Sequence, residues 1–251
     1  MYVIPCNYGP QSIALIEWMH QHHYTDVHCL YVDTGWSAPG WSERVKKAEE
    51  WVKSLGFQAK TLYPKRNFEG LILEQKKFPT SKFQWCASFL KGLPILEYLD
   101  FELDPEMQAT IVLALRRSAA RSLGNLQEFI ERSEHYNGRK IWHPLYVHST
   151  AFVEELWRNS AFGSVSKDDP LGLDGGFAGR SLECVVCVNG STADLARTKE
   201  SFEEVAGRIS SLEAAVSGVF PVEERGVIGE SAAGGLEPFL KGCGLPFGCG
   251  L

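Results

Sequence analysis

The chain has 251 residues, 44% of them hydrophobic and 22% charged, which is the composition of a globular protein long enough to bury a sizeable core. Neither a disordered chain nor a coiled coil fits those proportions. A net charge of -6 argues against a general nucleic-acid coat, because neutralising phosphates takes a basic surplus, and leaves room only for a local basic pocket.

The first four residues read as a short strand ended by Pro5, and the polar stretch after it holds Gly9 and Pro10 for a turn. From Ser12, Ile13, Leu15, Ile16, Trp18 and Met19 recur at helical spacing to about His22. Residues 26–31 read as a second buried strand running into Val32-Asp33-Thr34-Gly35. Trp41, Val45, Ala48, Trp51, Val52 and Leu55 predict a long amphipathic helix closed by Gly56, and residues 58–63 a third strand. Another apolar run covers residues 109–115.

Strands alternating with helices predict an α/β fold, a mostly parallel twisted sheet with helices on both faces. Residues 1–218 read as one domain. The stretch 219–251 reads as a flexible glycine-rich tail, since eight of the 24 glycines fall in residues 226–251. No apolar run approaches the ~18 residues of a membrane span, and the opening residues lack the marks of a signal peptide, so a cytoplasmic chain without a membrane partner is expected. Oligomeric state is left open.

Seven cysteines in a chain without an export signal point to thiols in metal or redox use. Cys184-Val185-Val186-Cys187 brings two thiolates close enough to share a metal or cluster, and Cys86 on a distant segment offers a third. Three soft ligands suit iron-sulfur or zinc, while the valines around the pair equally fit a buried apolar strand. Cys29, inside a predicted strand, reads as core, and His22-His23 as surface. Cys243 and Cys249 stand in the tail, either to reach a bound substrate or as unconstrained thiols.

Cys6-Asn7-Tyr8-Gly9-Pro10-Gln11-Ser12 lies between a strand and a helix, where backbone N–H groups and the helix dipole favour an anion, or it is an ordinary βα turn. Arg116-Arg117-Ser118-Ala119-Ala120-Arg121 follows an apolar strand and offers guanidinium forks to phosphate or sulfate, or starts a solvated helix. Strand carboxyl ends in such sheets form the ligand crevice, so residues 7–12, 33–35 and 116–121 are expected to converge.

Taken in order, these pieces resemble the phosphoadenosine phosphosulfate (PAPS) reductase family of the adenine nucleotide α-hydrolase-like (PP-loop) superfamily, over most of residues 1–200. Asn7-Tyr8-Gly9-Pro10-Gln11-Ser12 is similar to the reductases' altered phosphate loop near S-F-G-x-Q. Asp33-Thr34-Gly35 is similar to their D-T-G, and the run from Arg116 to Arg121 to their R-R-x-x-S-x-x-R grip. The segment from His143-Pro144-Leu145 to Val153 resembles their H-P-L-x-D-W-T-x-x-D-V. The resemblance implies that Asn7, Tyr8, Gly9, Gln11, Ser12, Asp33, Thr34, Gly35, Arg116, Arg117 and Arg121 bind an adenine nucleotide.

Cluster-bearing adenylylsulfate (APS) reductases carry C-C-x-x-R-K-x-x-P-L and a later C-x-x-C. Cys86, Cys184 and Cys187 match three of those four cysteines and Ala87 stands at the other. The resemblance therefore implies a 4Fe-4S cluster with three protein thiolates and one open iron, as in the tRNA thiolation branch of the superfamily. Cys243-Gly244-Leu245 is similar to the reductases' catalytic C-G-[IL]-H, with Pro246 in place of the histidine, and Cys249-Gly250-Leu251 offers a second copy.

Three functions follow. A sulfonucleotide reductase-like enzyme would use Cys243 or Cys249 as the nucleophile on sulfur, with thioredoxin or glutaredoxin as partner. An ATP-dependent sulfurtransferase would use the open cluster and bring in a nucleic-acid partner, although the altered loop lacks the aspartate expected to help bind magnesium. A non-catalytic nucleotide-binding module would keep a structural metal.

Overall fold

Among the described residues six strands form, most of them where β-branched and aromatic residues run together: Tyr2–Pro5 (β1), Val27–Val32 (β2), Gln58–Leu62 (β3), Thr110–Val112 (β4), Phe129–Ile130 (β5) and Lys140–Trp142 (β6). The computed structural model describes residues 1–80, 84–116, 127–162, 182–188, 190 and 192–222. The sheet order is β3-β2-β1-β4-β6-β5, parallel throughout except for β5, which runs antiparallel to β6. This is the expected α/β fold with a mostly parallel sheet.

Alternation along the strands divides the core in two. On one face Ile4, Cys29, Tyr31, Val112 and Trp142 pack with Ile13 and Ile16 of helix α1 (Pro10–Gln21), Trp41 and Val45 of α2 (Trp41–Ser54), and Val153 and Leu156 of α5 (Thr150–Asn159). On the other face Val3, Leu30, Val32, Ile111 and Ile141 meet Ile95 and Leu99. Those two come from a continuous helical segment made of a π-helical stretch Ala87–Gly92, α4 (Leu93–Tyr98) and a second π-helical stretch Leu99–Leu103. Helices α3 (Phe68–Gln75), α6 (Thr192–Ser201) and α7 (Glu203–Val216) and a 3-10 turn at Glu134–Tyr136 complete the described elements, α7 packing on both α3 and α6.

Local chemistry sets the helix ends. Pro10 opens α1, and the Asn67 and Ser149 side chains accept the Gly70 and Phe152 N–H groups to cap α3 and α5. Gly56 takes φ +83° just after α2, in open space, as its place in the sequence predicts. Cys29 is fully buried and His22 and His23 are exposed, also as expected.

Two boundaries differ from the expectation. The apolar run 109–115 pairs as a strand only through Val112, because its neighbour β6 stops at Trp142, just before His143 and Pro144, and proline has no N–H to extend the ladder. Leu113, Ala114 and Leu115 stay buried as a loop. Phe220, inside the expected tail, is buried against Phe78 and Trp36 with ring centroids 5.0 and 6.4 Å away, so the packed body reaches at least that far. Among the described residues no helix is long and apolar enough to cross a membrane.

Candidate functional site

From β1 the chain crosses to β2 on one side, while β4 pairs on its other side, so β1 and β4 flank the point where strand order reverses. In open α/β sheets that point opens a crevice at the carboxyl ends of the strands. The β1–α1 loop and residues 113–116 lead out of it.

The β1–α1 loop is built around Asn7. Its Oδ1 accepts the Gly9 N–H at 2.8 Å and the Ser12 hydroxyl at 2.9 Å, and the Ser12 Oγ accepts the Asn7 N–H at 3.4 Å. All of residues 7–12 are buried. Two expected anion donors, the Asn7 and Gly9 N–H groups, are thus taken inside the loop, and Pro10 offers none. Tyr8 sits in the left-handed region at φ +54°, its carbonyl accepts Arg44 Nε at 3.1 Å, and burial raises its phenol pKa. After β2, the Asp33 carboxylate accepts the Gly35 N–H at 2.9 Å, and Gly35 holds φ +70° with a Cβ position only 3.1 Å from Asn67 Cβ. The Thr34 carbonyl accepts the Phe68 N–H, which ties this turn to α3.

Arg116 stands at the same end of the sheet, 1% exposed. Its Nη1 donates to Thr150 Oγ1 at 2.8 Å, in the first turn of α5, while its Nε and Nη2 are buried with no hydrogen-bond partner among the described residues. Burial lowers its pKa. A guanidinium keeps its charge under such conditions, so two charged N–H donors wait beside the positive end of a helix dipole. An anion with two oxygens is the ligand chemistry that satisfies them. Nearby, His143 is buried, its Nδ1 2.7 Å from the Gln127 carbonyl, and burial pushes its pKa down.

Cys86, Cys184 and Cys187 line one pocket together with Thr34, Phe68 and Lys91. Cys86 immediately precedes the π-helical stretch. The other two ride on a segment zipped to residues 36–38: Leu182 O accepts Ala38 N–H, and Val185 N–H donates to Trp36 O at 2.7 Å. None of the three is in a disulfide. The donor set of three soft thiols fits an iron-sulfur cluster or zinc. The space they enclose, about 10 Å³, is one water's worth and smaller than a cluster. Among the described residues no group of three His, Cys, Asp or Glu side chains is arranged around a single ion.

Sequence reasoning missed the pair that joins the two halves. Lys91 Nζ lies 2.6 Å from Glu183 Oε1, with side chains 8% and 3% exposed, and the same oxygen accepts from Asn7 Nδ2 at 3.4 Å. A hydrogen-bonded chain thus runs from the wall of the cysteine pocket to the β1–α1 loop. The available signal was a charged residue embedded in Leu182-Glu183-Cys184-Val185-Val186.

The structure therefore gathers Asn7, Thr34, Cys86, Cys184 and Cys187, and sets Arg116 on the adjoining strand end. Gln11 and Ser12 are buried in the first turn of α1. Arg117, Arg121, Cys243 and Cys249 lie outside the described residues.

No family model and no curated protein matches the chain. Among solved structures it is similar to Candida glabrata FMN adenylyltransferase in complex with FMN and the ATP analogue AMPCPP, at a TM-score of 0.40 and 14% identity over 64% of this chain. The chain spans about half of that protein, 48% of its length.

Proposed function

We propose that this chain is an adenine nucleotide-binding enzyme of the sulfonucleotide reductase-like kind, acting on PAPS or APS. The observation that supports the reading best is Arg116, a buried guanidinium with two donors unbonded at the carboxyl end of β4. Leaving charged donors buried without acceptors is costly, and a bound phosphate or sulfate removes that cost.

In this reading Arg116, with Arg117 and Arg121, grips the phosphosulfate, and residues 7–12 and 33–35 seat the rest of the nucleotide. A thiolate at Cys243 or Cys249 attacks the sulfur. The S–S bond of a cysteine S-sulfonate forms as the sulfur–oxygen bond breaks, and the electron pair leaves on the nucleotide phosphate. A dithiol protein of the thioredoxin or glutaredoxin type then releases sulfite and is itself oxidised to a disulfide. Lys91 and Glu183 hold the cysteine pocket and the β1–α1 loop in register. Cys86, Cys184 and Cys187 would hold a 4Fe-4S cluster, whose open iron can bind a sulfur ligand.

A second reading, ATP-dependent sulfur transfer to a nucleic acid, is favoured by one feature. Ala87, 3% exposed, stands beside Cys86 where a fourth thiolate would complete the set.

Calorimetry on the full chain with PAPS, APS and ATP, followed by mass spectrometry of the protein, tests both. Binding of PAPS or APS with an S-sulfonate on Cys243 or Cys249 is expected. Binding of ATP alone with no adduct transfers support to the second reading, and no binding at millimolar concentration overturns both.

A further inference from the structure

Helix α4 and the π-helical stretches on either side of it bury Leu90, Ile95 and Leu99 against the core. The outer side of the same segment carries Phe89, Leu93 and Phe101, which are 52, 42 and 80% exposed. With Glu97 these positions recur at every fourth residue. Over twelve residues an α-helix, at ~3.6 residues per turn, would swing such a series about a third of the way round its axis. The wider π turns, at ~4.4 residues, swing it the opposite way. Here π, α and π follow one another, so the four positions keep to one line.

Phe89, Leu93 and Phe101 leave roughly 350 Å² of apolar surface in water, the size of patch that monomers expose mostly for function. Its rim is neutral. The Glu97 carboxylate is 2.6 Å from Lys65 Nζ, and the Glu102 carboxylate is 3.2 Å from Lys60 Nζ. A partner chosen by charge, such as a nucleic acid or an anionic membrane, finds nothing to hold there. A second copy of this chain, which a net charge of -6 would otherwise repel, finds a face without that charge.

The order of the residues also favours the copy. Phe89 and Phe101 stand six residues to either side of Ile95, and Leu93 and Glu97 two. A two-fold axis crossing the segment at Ile95 therefore lays the stripe on itself, as a contact between identical surfaces requires. We infer that two copies of the chain pair through this stripe, their 87–103 segments antiparallel. Phe89 of each copy meets Phe101 of the other, and Leu93 lies on the stem of Glu97, whose carboxylate Lys65 draws aside. The two ion pairs supply the polar rim that surrounds an apolar interface core. The contact does not depend on the proposed reaction.

Sedimentation velocity on the full chain tests it. At about 100 μM the parent should be a dimer. Phe89→Asp and Phe101→Lys should each weaken the dimer about a hundredfold or more, because every such side chain counts twice in a two-fold contact. Mixing the two variants should restore a dimer: one end of the contact then joins the new carboxylate to the new ammonium, and the other keeps both phenyl rings. Both side chains lie outside the core, so melting temperatures should stay near the parent's. If either variant melts early, Leu93→Arg, at the middle of the stripe, must still give a monomer. A monomeric parent, or a dimer that survives these substitutions, overturns the inference. So do two monomeric variants that fail to recombine, because the segments are then not antiparallel.

Discussion

The Lys91 ammonium and the Glu183 carboxylate meet at 2.6 Å with both side chains almost wholly withdrawn from water. Removing one partner strands the other charge in the interior, which costs about 3–5 kcal/mol. Lys91→Met should therefore lower unfolding free energy by about that much in urea titrations, and Lys91→Met with Glu183→Leu should recover most of the loss. A single variant as stable as the parent would show that the pair is not buried in solution.

Arg116 predicts a trade between stability and binding. With no ligand, its two unbonded donors destabilise the fold, so Arg116→Met should raise stability by about 1–3 kcal/mol. The same change should weaken adenine nucleotide binding about tenfold to a hundredfold, since charge-assisted hydrogen bonds contribute ~1.5–3 kcal/mol. Arg116→Lys should fall between, because an ammonium cannot present the two-pronged fork. Thermal melts and calorimetry on the three proteins check both halves.

The three pocket cysteines predict metal content. Anaerobically isolated protein should carry iron and sulfide in equal amounts, and Cys86→Ser, Cys184→Ser and Cys187→Ser should each lower both. Ala87→Cys should slow loss of the visible absorbance in air by supplying a fourth thiolate. Zinc bound one to one, with no iron, would remove the cluster from the proposal.

His143 predicts a pH dependence. Burial holds its folded-state pKa below the ordinary value of 6.5, so the unfolded chain binds a proton more readily than the folded one. Stability from this residue is complete above about pH 6.5 and is lost as pH falls from there through the depressed folded value. Melting temperature should drop on acidification over that range, and His143→Gln should flatten the drop. An unchanged slope in the variant would assign the effect to other groups.

The first half of the fold was legible because its signals are local. Residues 27–32 are an apolar run long enough to be a strand, and Gly56 marks a helix end by itself. β5 and β6 escaped because two or three residues carry no periodicity; they exist through pairing with Val112 and each other. The helical segment 87–103 was missed for a related reason, since its two π-helical stretches break the 3.6-residue spacing. In the site, Cys86, Cys184 and Cys187 could be grouped by residue type. The Lys91–Glu183 contact spans 92 residues and only folding reveals it.

The Asn7 carboxamide holds the β1–α1 loop through Gly9 and Ser12 without help from a guest. Ordering this loop is thus a cost of folding and not of association. Under the proposed function, a nucleotide arriving at the crevice would meet a seat already set, and its affinity would not be reduced by a closing step there. Asn7→Ala would move that ordering cost to the moment of binding, so the loop would behave as a latch where it now behaves as an anvil.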